Sequence, residues 1–234
     1  MKKLLIVMFC LFVVGCSWGD VKRETMKKVH AVWIPKSKLL DVPHIQQLPE
    51  LPRGCEVTSL AMLLQFKGVD VNKMELAKRI NRDETPYQIK RNGDIHFGNP
   101  NVGFVGDMYS FDKPGLGVYH EPIYALANDY IPNAWEDLTG SDFSEVEKAI
   151  ADDKPVWVIV TSTFDTVEEK YWTEWHTKQG VIKVTKKEHA VIITGYDEDS
   201  VYVNDPLSTK NRKLDKKAFI RGWEQFGSQA ITLY

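Results

Sequence analysis

The sequence predicts an α+β fold in which helices come first and antiparallel strands later. The chain has 234 residues, of which 43% are hydrophobic and 26% charged, a composition typical of one globular domain with a single core. Helical spacing of apolar residues dominates before residue 154, whereas short β-branched runs bounded by turns dominate after it. Because helices and strands are segregated rather than alternating, we expect an α+β arrangement and not a Rossmann-like sheet.

Residues 1–15 are predicted to be a signal peptide that precedes the folded part. Lys2 and Lys3 are followed by an apolar run from Leu4 to Val14. This run is too short to span a bilayer and has the length of a signal-peptide core. It ends in Val13-Val14-Gly15-Cys16, which resembles the lipobox of bacterial lipoproteins, where cleavage precedes a cysteine that becomes lipid-modified. The resemblance implies an extracytoplasmic protein anchored to the membrane through Cys16. An ordinary secretion signal is the alternative.

Residues 16–38 are predicted to be a tether, and residues 39–234 a single domain. The tether is polar and mixed in charge. The net charge of the whole chain is −2, and no basic stripe is interleaved with aromatic residues, so nucleic acid is not expected as a partner. We expect a monomer.

Four helices are predicted in the first part of the domain. Val57, Leu60, Ala61 and Leu64 repeat at the i, i+3, i+4, i+7 spacing of a buried helix face. The helices that begin near residues 73 and 145 carry capping signals, and their starts are assigned from these signals. The predicted helices are Cys55 to Phe66, Lys73 to Ile80 with Asn72 as N-cap, 121–128, and 145–151 with Ser144 as N-cap.

Residues 81–119 are rich in glycine and proline and are predicted to be a long irregular segment. Segments of this length inside a compact domain tend to form functional walls or lids. The predicted strands are 155–161, 180–185, 189–196, 201–205 and 229–234, with a tight hairpin turn over 197–200.

Cys55 is the first candidate for a chemical role. The chain has three cysteines, of which Cys10 lies in the predicted signal peptide and Cys16 is the predicted lipid site. Cys55 would then be a thiol without a disulfide partner in an exported protein, which points to a use for its reactivity. A position at the start of a helix favours the thiolate. The alternative is that Cys55 is a small buried hydrophobic residue.

His189 and Asp205 are the candidates for the groups that would assist a cysteine nucleophile. A nucleophilic thiol needs a base and a third group that orients this base. His189 opens an apolar strand, and Asp205 follows the next one. If the two strands form the predicted hairpin, both side chains lie at one end of the sheet, where a carboxylate can hold the imidazole tautomer. Alternatively, Asp205 only ends a strand at an Asp-Pro turn, and His189 is a core histidine.

Four separated motifs resemble those of papain-superfamily cysteine peptidases, and the likeness is greatest to the group related to bacteriocin-leader-processing peptidases, cysteine peptidase family 39. The motifs are VPHIQQLPELPRGCEVTSLAMLL, NPNVGFVGDMYS followed by GLGVY, HAV at residue 189, and NDP at residue 204. They occur in the order of that family and cover residues 40–234. The resemblance implies a papain-like fold, with the nucleophile helix packed on an antiparallel sheet.

The resemblance also implies a role for each site residue. Cys55 would be the nucleophile, His189 the general base and then the acid, and Asp205 the group that orients His189. The side-chain amide of Gln47 would bind the oxyanion beside the backbone N–H of Cys55, with Gln46 as the alternative. Many relatives have glycine after the cysteine, where this chain has Glu56. A carboxylate that points inward there would raise the pKa of the Cys55 thiol.

The expected activity is thiol-dependent hydrolysis of peptide bonds, with a peptide or protein as substrate and no cofactor. A cysteine-dependent amidase or acyltransferase acting on cell-wall peptides uses the same groups and is one alternative. A non-catalytic binding lipoprotein is the other. No metal site is predicted, because the sequence has no HExxH or Cys-x-x-Cys motif and Asp94 with His96 is an isolated pair.

Overall fold

The computed structural model describes residues 34–234, and residues 35–234 form one compact unit. The predicted signal peptide, the predicted lipid site Cys16 and most of the predicted tether lie outside the described residues. The last tether residue, Lys38, already pairs with a strand of the main sheet.

A seven-stranded antiparallel sheet is the centre of the fold. Its strands run in the order β12-β11-β10-β7-β13-β6, and β1 pairs with β10 beside this path. The strands are β1 (Lys38–Leu39), β6 (Trp135–Asp137), β7 (Val156–Thr161), β10 (Glu188–Tyr196), β11 (Ser200–Asn204), β12 (Arg212–Asp215) and β13 (Ala230–Leu233). Every residue of β7 and β13 is buried, as expected for strands covered on both faces.

Two smaller sheets stand beside the main one. The four-stranded sheet has the order β3-β4-β8-β9, with β4 and β8 parallel and the other pairs antiparallel. The two-stranded sheet pairs β2 with β5 in parallel. Their strands are β2 (Arg82–Asp83), β3 (Gln88–Ile89), β4 (Ile95–His96), β5 (Phe104–Val105), β8 (Trp172–Thr177) and β9 (Gly180–Thr185).

Five α-helices occur within residues 34–234. They are α1 (Cys55–Phe66), α2 (Lys73–Arg79), α3 (His120–Tyr130), α4 (Phe143–Ala151) and α5 (Lys216–Glu224). Helix α1 packs on β7 and β10 and against α2 and α3, whereas α4 and α5 contact β7 and each other. Residues 55–64 are all buried, so α1 is the central helix of the core.

The α+β class and the helix-on-sheet arrangement predicted from the sequence are confirmed. Helix α1 has the predicted bounds, and α2 begins after Asn72, whose side chain accepts hydrogen bonds from the backbone N–H of Met74 and Glu75. Helix α4 differs in its start, because Asp142 and not Ser144 caps it by accepting from the Ser144 N–H. The sequence did not predict β1 to β6, which have only two or three residues each and of which β2 to β5 lie in the segment predicted to be irregular. It also did not predict β8, β12 or α5, in which apolar residues are mixed with polar and charged ones.

Candidate active site

The chain before α1 positions Cys55 as the first residue of a buried helix. Gly54 precedes the helix and has no side-chain cap, and its N–H donates to the Leu51 carbonyl at 3.1 Å. A Cβ atom on Gly54 would lie 2.5 Å from Cβ of Leu51, so the turn is closed too tightly for any residue with a side chain. Cys55 itself is 7% exposed.

Two glutamates surround the thiol. Sγ of Cys55 donates to Oε2 of Glu56 at 3.3 Å, and one carboxylate oxygen of Glu188 completes a set in which all three atoms lie within 4.8 Å of one another. Burial raises the pKa of the Cys55 thiol well above its usual value, and the charges of Glu56 and Glu188 raise it further. Burial, with the two carboxylates added to it, therefore opposes the thiolate that the helix start would favour.

The pKa values of the two glutamates are raised as well. Burial raises the pKa of Glu56 to about 7, although hydrogen bonds from the Val118 N–H and the Cys55 thiol act against this. Burial and the charge of Glu56 raise the pKa of Glu188 well above its usual value. Oε1 of Glu188 is buried and has no hydrogen-bond partner among the described residues. Glu56 and Glu188 thus form a pair whose carboxyl groups keep their protons to higher pH than isolated carboxyl groups do.

His189 and Asp205 form the second part of the site. Nε2 of His189 lies 2.9 Å from Oδ1 of Asp205, and the two residues are only 3% and 2% exposed. The Leu207 N–H and the Arg212 guanidinium donate to the same carboxylate at 2.9 and 2.8 Å. Burial alone would raise the pKa of Asp205, but the hydrogen bonds from His189, Leu207 and Arg212 hold that pKa below its usual value.

Glu188 and His189 contact different parts of the site. Glu188 and His189 are consecutive in this strand, so their side chains point to opposite sides. Glu188 faces α1 and the thiol, whereas the His189 ring packs edge-on against Phe164 on the side of α5. The structure therefore brings His189 and Asp205 together as predicted, and it gives Cys55 a glutamate as its hydrogen-bond partner.

Gln47 is fully buried next to the turn that leads into α1. Its Nε2 donates to the carbonyl oxygens of Leu51 and Pro52, both at 3.0 Å. Both amide hydrogens are thus used to hold the loop, while Oε1 has no partner among the described residues. Gln46, the alternative, is exposed, and its carbonyl oxygen accepts from Lys73. The role of either glutamine at an oxyanion stays a prediction.

A cleft of about 620 Å³ opens close to the chain segments that lead into α1 and β10, although Cys55 and Glu188 do not line it. Arg53 and Lys187, the neighbours of Gly54 and Glu188 in the chain, line it. Its wall is largely apolar and aromatic, with Tyr87, Phe97, Phe111, Tyr171 and Trp175. Five basic side chains and one acidic side chain also line it: Arg53, Lys113, Lys170, Lys186 and Lys187, and Asp112. Much of this wall comes from the irregular segment 81–119, which was predicted to form a functional wall.

The sequence reasoning missed Glu188 and Arg212. Glu188 directly precedes His189, and a charged residue at the head of an otherwise apolar strand was the signal that could have found it. Arg212 lies seven residues after Asp205 with no motif around it, so only the pairing of β11 with β12 brings it to the carboxylate.

A helix that begins at a cysteine, packed on an antiparallel sheet that carries a histidine–aspartate pair, is the arrangement of the papain-like cysteine peptidase class. Residues 39–231 match the Peptidase_C39 like family, and the chain belongs to this family. Membership suggests cysteine peptidase activity.

Two proteins are similar to this chain over most of its length. A crystal structure of a candidate C39-like peptidase from Bacillus anthracis is 44% identical, covers 86% of this chain and 98% of its own, and superposes with a TM-score of 0.79. The uncharacterized protein YvpB of Bacillus subtilis (strain 168) is 45% identical over 199 residues, which are 84% of this chain and 76% of that protein. Within residues 34–234, no helix is both long and apolar enough to cross a membrane.

Proposed function

We propose that this chain hydrolyses peptide bonds with the Cys55 thiol as the nucleophile. The observation that carries the proposal is the position of Cys55 at the first residue of a buried helix, close to a cleft lined by Arg53 and Lys187, in a member of a peptidase family. Sγ would attack the carbonyl carbon and release the amine, and water would then hydrolyse the thioester to restore the thiol.

His189 would be the general base and then the acid, and Asp205 would orient it. Because Nε2 of His189 is held by Asp205, Nδ1 is the nitrogen left to exchange a proton. In the described arrangement the thiol donates to Glu56. The reaction therefore requires the thiol to exchange Glu56 for the imidazole, or else to pass its proton to the Glu56–Glu188 pair.

The oxyanion would be bound by the backbone N–H of Cys55 at the start of α1, where helix N–H groups have no partner within the helix. Gln47 would join it only if its amide releases one of the carbonyl oxygens of the preceding turn. Because basic side chains outnumber acidic ones in the cleft, we expect peptides with acidic residues to be cleaved preferentially.

The test is exposure of the chain to a diverse peptide mixture, with cleavage sites mapped by mass spectrometry. We expect cleavage by the wild type and none by Cys55→Ser. Cleavage by Cys55→Ser at the wild-type rate, or none by either chain, would refute the proposal. Peptides joined to an added amine instead of hydrolysed would identify an acyltransferase.

Two further variants identify the group that accepts the thiol proton. If His189 is the base, His189→Gln loses most turnover and Glu188→Gln retains it. If the carboxyl pair is the base, the order is reversed. Each variant is also melted thermally, so that a loss of folding is not read as a loss of catalysis.

We further propose that the protein is held at the outer side of the membrane by lipid on Cys16. The support is the Val13-Val14-Gly15-Cys16 pattern after a short apolar run. A diacylglyceryl group supplies two chains, which is enough for stable attachment. We expect Cys16→Ala to abolish lipid labelling and to block normal processing, whereas Cys10→Ala leaves both intact. Wild-type processing and membrane fractionation of Cys16→Ala would overturn the proposal.

A further inference from the structure

The four-stranded sheet carries a cluster of metal-ligating side chains away from Cys55. Asp94, His96 and His176 each offer a ligand atom, and these atoms lie within 4.8 Å of one another. His96 and His176 are direct partners in the parallel pairing of β4 with β8, and their rings stack with centroids 4.8 Å apart and planes 12° apart. Oδ2 of Asp94 lies 3.6 Å from Nε2 of His176.

We propose that Asp94, His96 and His176 bind a divalent transition-metal ion of the zinc class. Two imidazoles and one carboxylate are a donor set that Zn²⁺ accepts, with water as the fourth ligand. At metal–ligand distances of about 2.0–2.1 Å, tetrahedral donors stand about 3.3 Å apart. The gap between Asp94 and His176 is close to that value, whereas the stacked imidazoles have to turn so that one nitrogen of each points at the ion.

The side chains of the cluster have room to turn toward an ion. The side chains of His176 and Asp94 are 41% and 43% exposed, so they can turn and leave space for water. Nδ2 of Asn92 donates to Oδ2 of Asp94 at 2.6 Å, which orients the carboxylate toward the histidines. Hydrogen bonds of this kind fix ligand groups in known metal sites.

The position of the cluster indicates what the ion would do. Ile95, Phe97 and Trp175 line the cleft, and they alternate along the chain with His96 and His176. The histidines therefore lie on the outer face of the strands whose inner face is the cleft wall. Strand β4 belongs to the irregular segment, and β8 lies far from it in sequence. An ion between them would clamp the two strands and stiffen this wall, without touching the thiol.

The test is Zn²⁺ binding measured by calorimetry on the full chain in which Cys10, Cys16 and Cys55 are replaced by Ser. Removing the thiols leaves imidazoles and carboxylates as the ligands, and makes the result independent of peptidase activity. We expect micromolar or tighter binding of one ion. His96→Gln and His176→Gln should each weaken it by at least about 10-fold, and Asp94→Asn by a smaller factor.

His120→Gln is the matched control, because His120 also lies near a carboxylate, 3.6 Å from Asp137, but belongs to no cluster of three ligand residues within residues 34–234. It should bind Zn²⁺ like the parent.

Imidazole NMR signals should show that Zn²⁺ shifts two histidines in the parent and in His120→Gln. Thermal melting in a chelator should give the same melting temperature for all variants, and added Zn²⁺ should raise it only where both His96 and His176 are present. Equal affinity in the parent, His96→Gln and His176→Gln would overturn the proposal, as would the absence of micromolar binding.

Discussion

At the residue scale, the thiol of Cys55 lies between two carboxyl groups in a largely buried place. Glu56 and Gly117 show how tight this place is, since a Cβ atom on Gly117 would lie 2.2 Å from Oε1 of Glu56 and 2.9 Å from Oε2 of Glu188. A glycine is needed there because the two carboxyl groups occupy the space. A buried charge costs free energy unless it is paired, so protons on the glutamates stabilise the folded chain.

Glu56 should make the stability depend on pH in the direction opposite to most carboxylates. Its pKa is raised to about 7 in the folded chain, so the folded state keeps a proton that the unfolded state releases between pH 4.5 and about 7. The free energy of unfolding should therefore fall as the pH rises through this range. We expect Glu56→Gln to be more stable than the wild type at pH 8 by on the order of 1–3 kcal/mol, and to lose this advantage at pH 4.5.

The measurement is urea unfolding of both chains at several pH values. Glu145→Gln is the control, because Glu145 is partly exposed on α4, where it pairs with Lys148. Its difference from the wild type should stay nearly constant. If the difference in the free energy of unfolding between Glu56→Gln and the wild type does not grow with pH, the raised pKa of Glu56 is contradicted.

Asp205 should matter for both turnover and stability. Asp205→Asn keeps the shape and loses the charge that fixes His189, and we expect turnover to fall by about 10- to 1000-fold, less than in Cys55→Ser. Because Asp205 is buried and accepts from His189, Leu207 and Arg212, Asp205→Ala should also lower the free energy of unfolding by about 1–3 kcal/mol. Turnover on a peptide from the cleavage screen and thermal melting measure the two effects. Full turnover in both variants would leave Asp205 as a residue of the strand-ending turn alone.

At the scale of elements, the helix starts are set by single side chains. Asn72 caps α2 with two hydrogen bonds at 3.0 Å, and Asp142 caps α4 with one at 2.8 Å. Asp142 and not Ser144 is the N-cap because the helix already begins at Phe143, whose side chain is buried in the core. The Asp142 carboxylate is a good acceptor at that position.

We expect Asn72→Ala to lower the free energy of unfolding by about 1 kcal/mol, since it leaves two backbone N–H groups without their acceptor. Asn72→Asp keeps an acceptor at the same place and should stay close to the wild type. Chemical unfolding of the three chains measures the effect. Equal losses in Asn72→Ala and Asn72→Asp would show that the amide group has another function.

At the scale of the whole molecule, the last strand holds the main sheet together. Strand β13 lies between β7 and β6, and all its residues are buried. The hydroxyl of Thr232 also donates to the Pro155 carbonyl at 2.9 Å. A strand in this position supplies hydrogen bonds to both neighbours and apolar surface to both layers of helices.

Removal of residues 229–234 should therefore abolish cooperative unfolding, because β6 loses its only partner in the described sheet and β7 becomes an edge. Removal of Tyr234 alone, which is 70% exposed, should lower the melting temperature by only a few degrees. Circular dichroism during heating measures both. A cooperative transition near the wild-type temperature in the longer truncation would show that β13 is dispensable.

The sequence by itself determined the elements whose side chains carry their own signal. Helix α1, the strands β7, β9, β10 and β11, and the hairpin that joins His189 to Asp205 all follow from apolar periodicity and turn residues, which are local properties. The candidate nucleophile was found in the same way, as an unpaired cysteine at a helix start.

Only the tertiary structure decided which groups surround that cysteine and which distant residues meet. Glu188 reaches the thiol because β10 passes beside the start of α1, and Arg212 reaches Asp205 because β12 pairs with β11. Asp94 and His96 were an isolated pair in the sequence, and His176 joins them only through the single parallel pairing of β4 with β8. These contacts join residues far apart in the chain. The register of the strands that carry them is set by the packing of the whole core, which local sequence patterns do not predict.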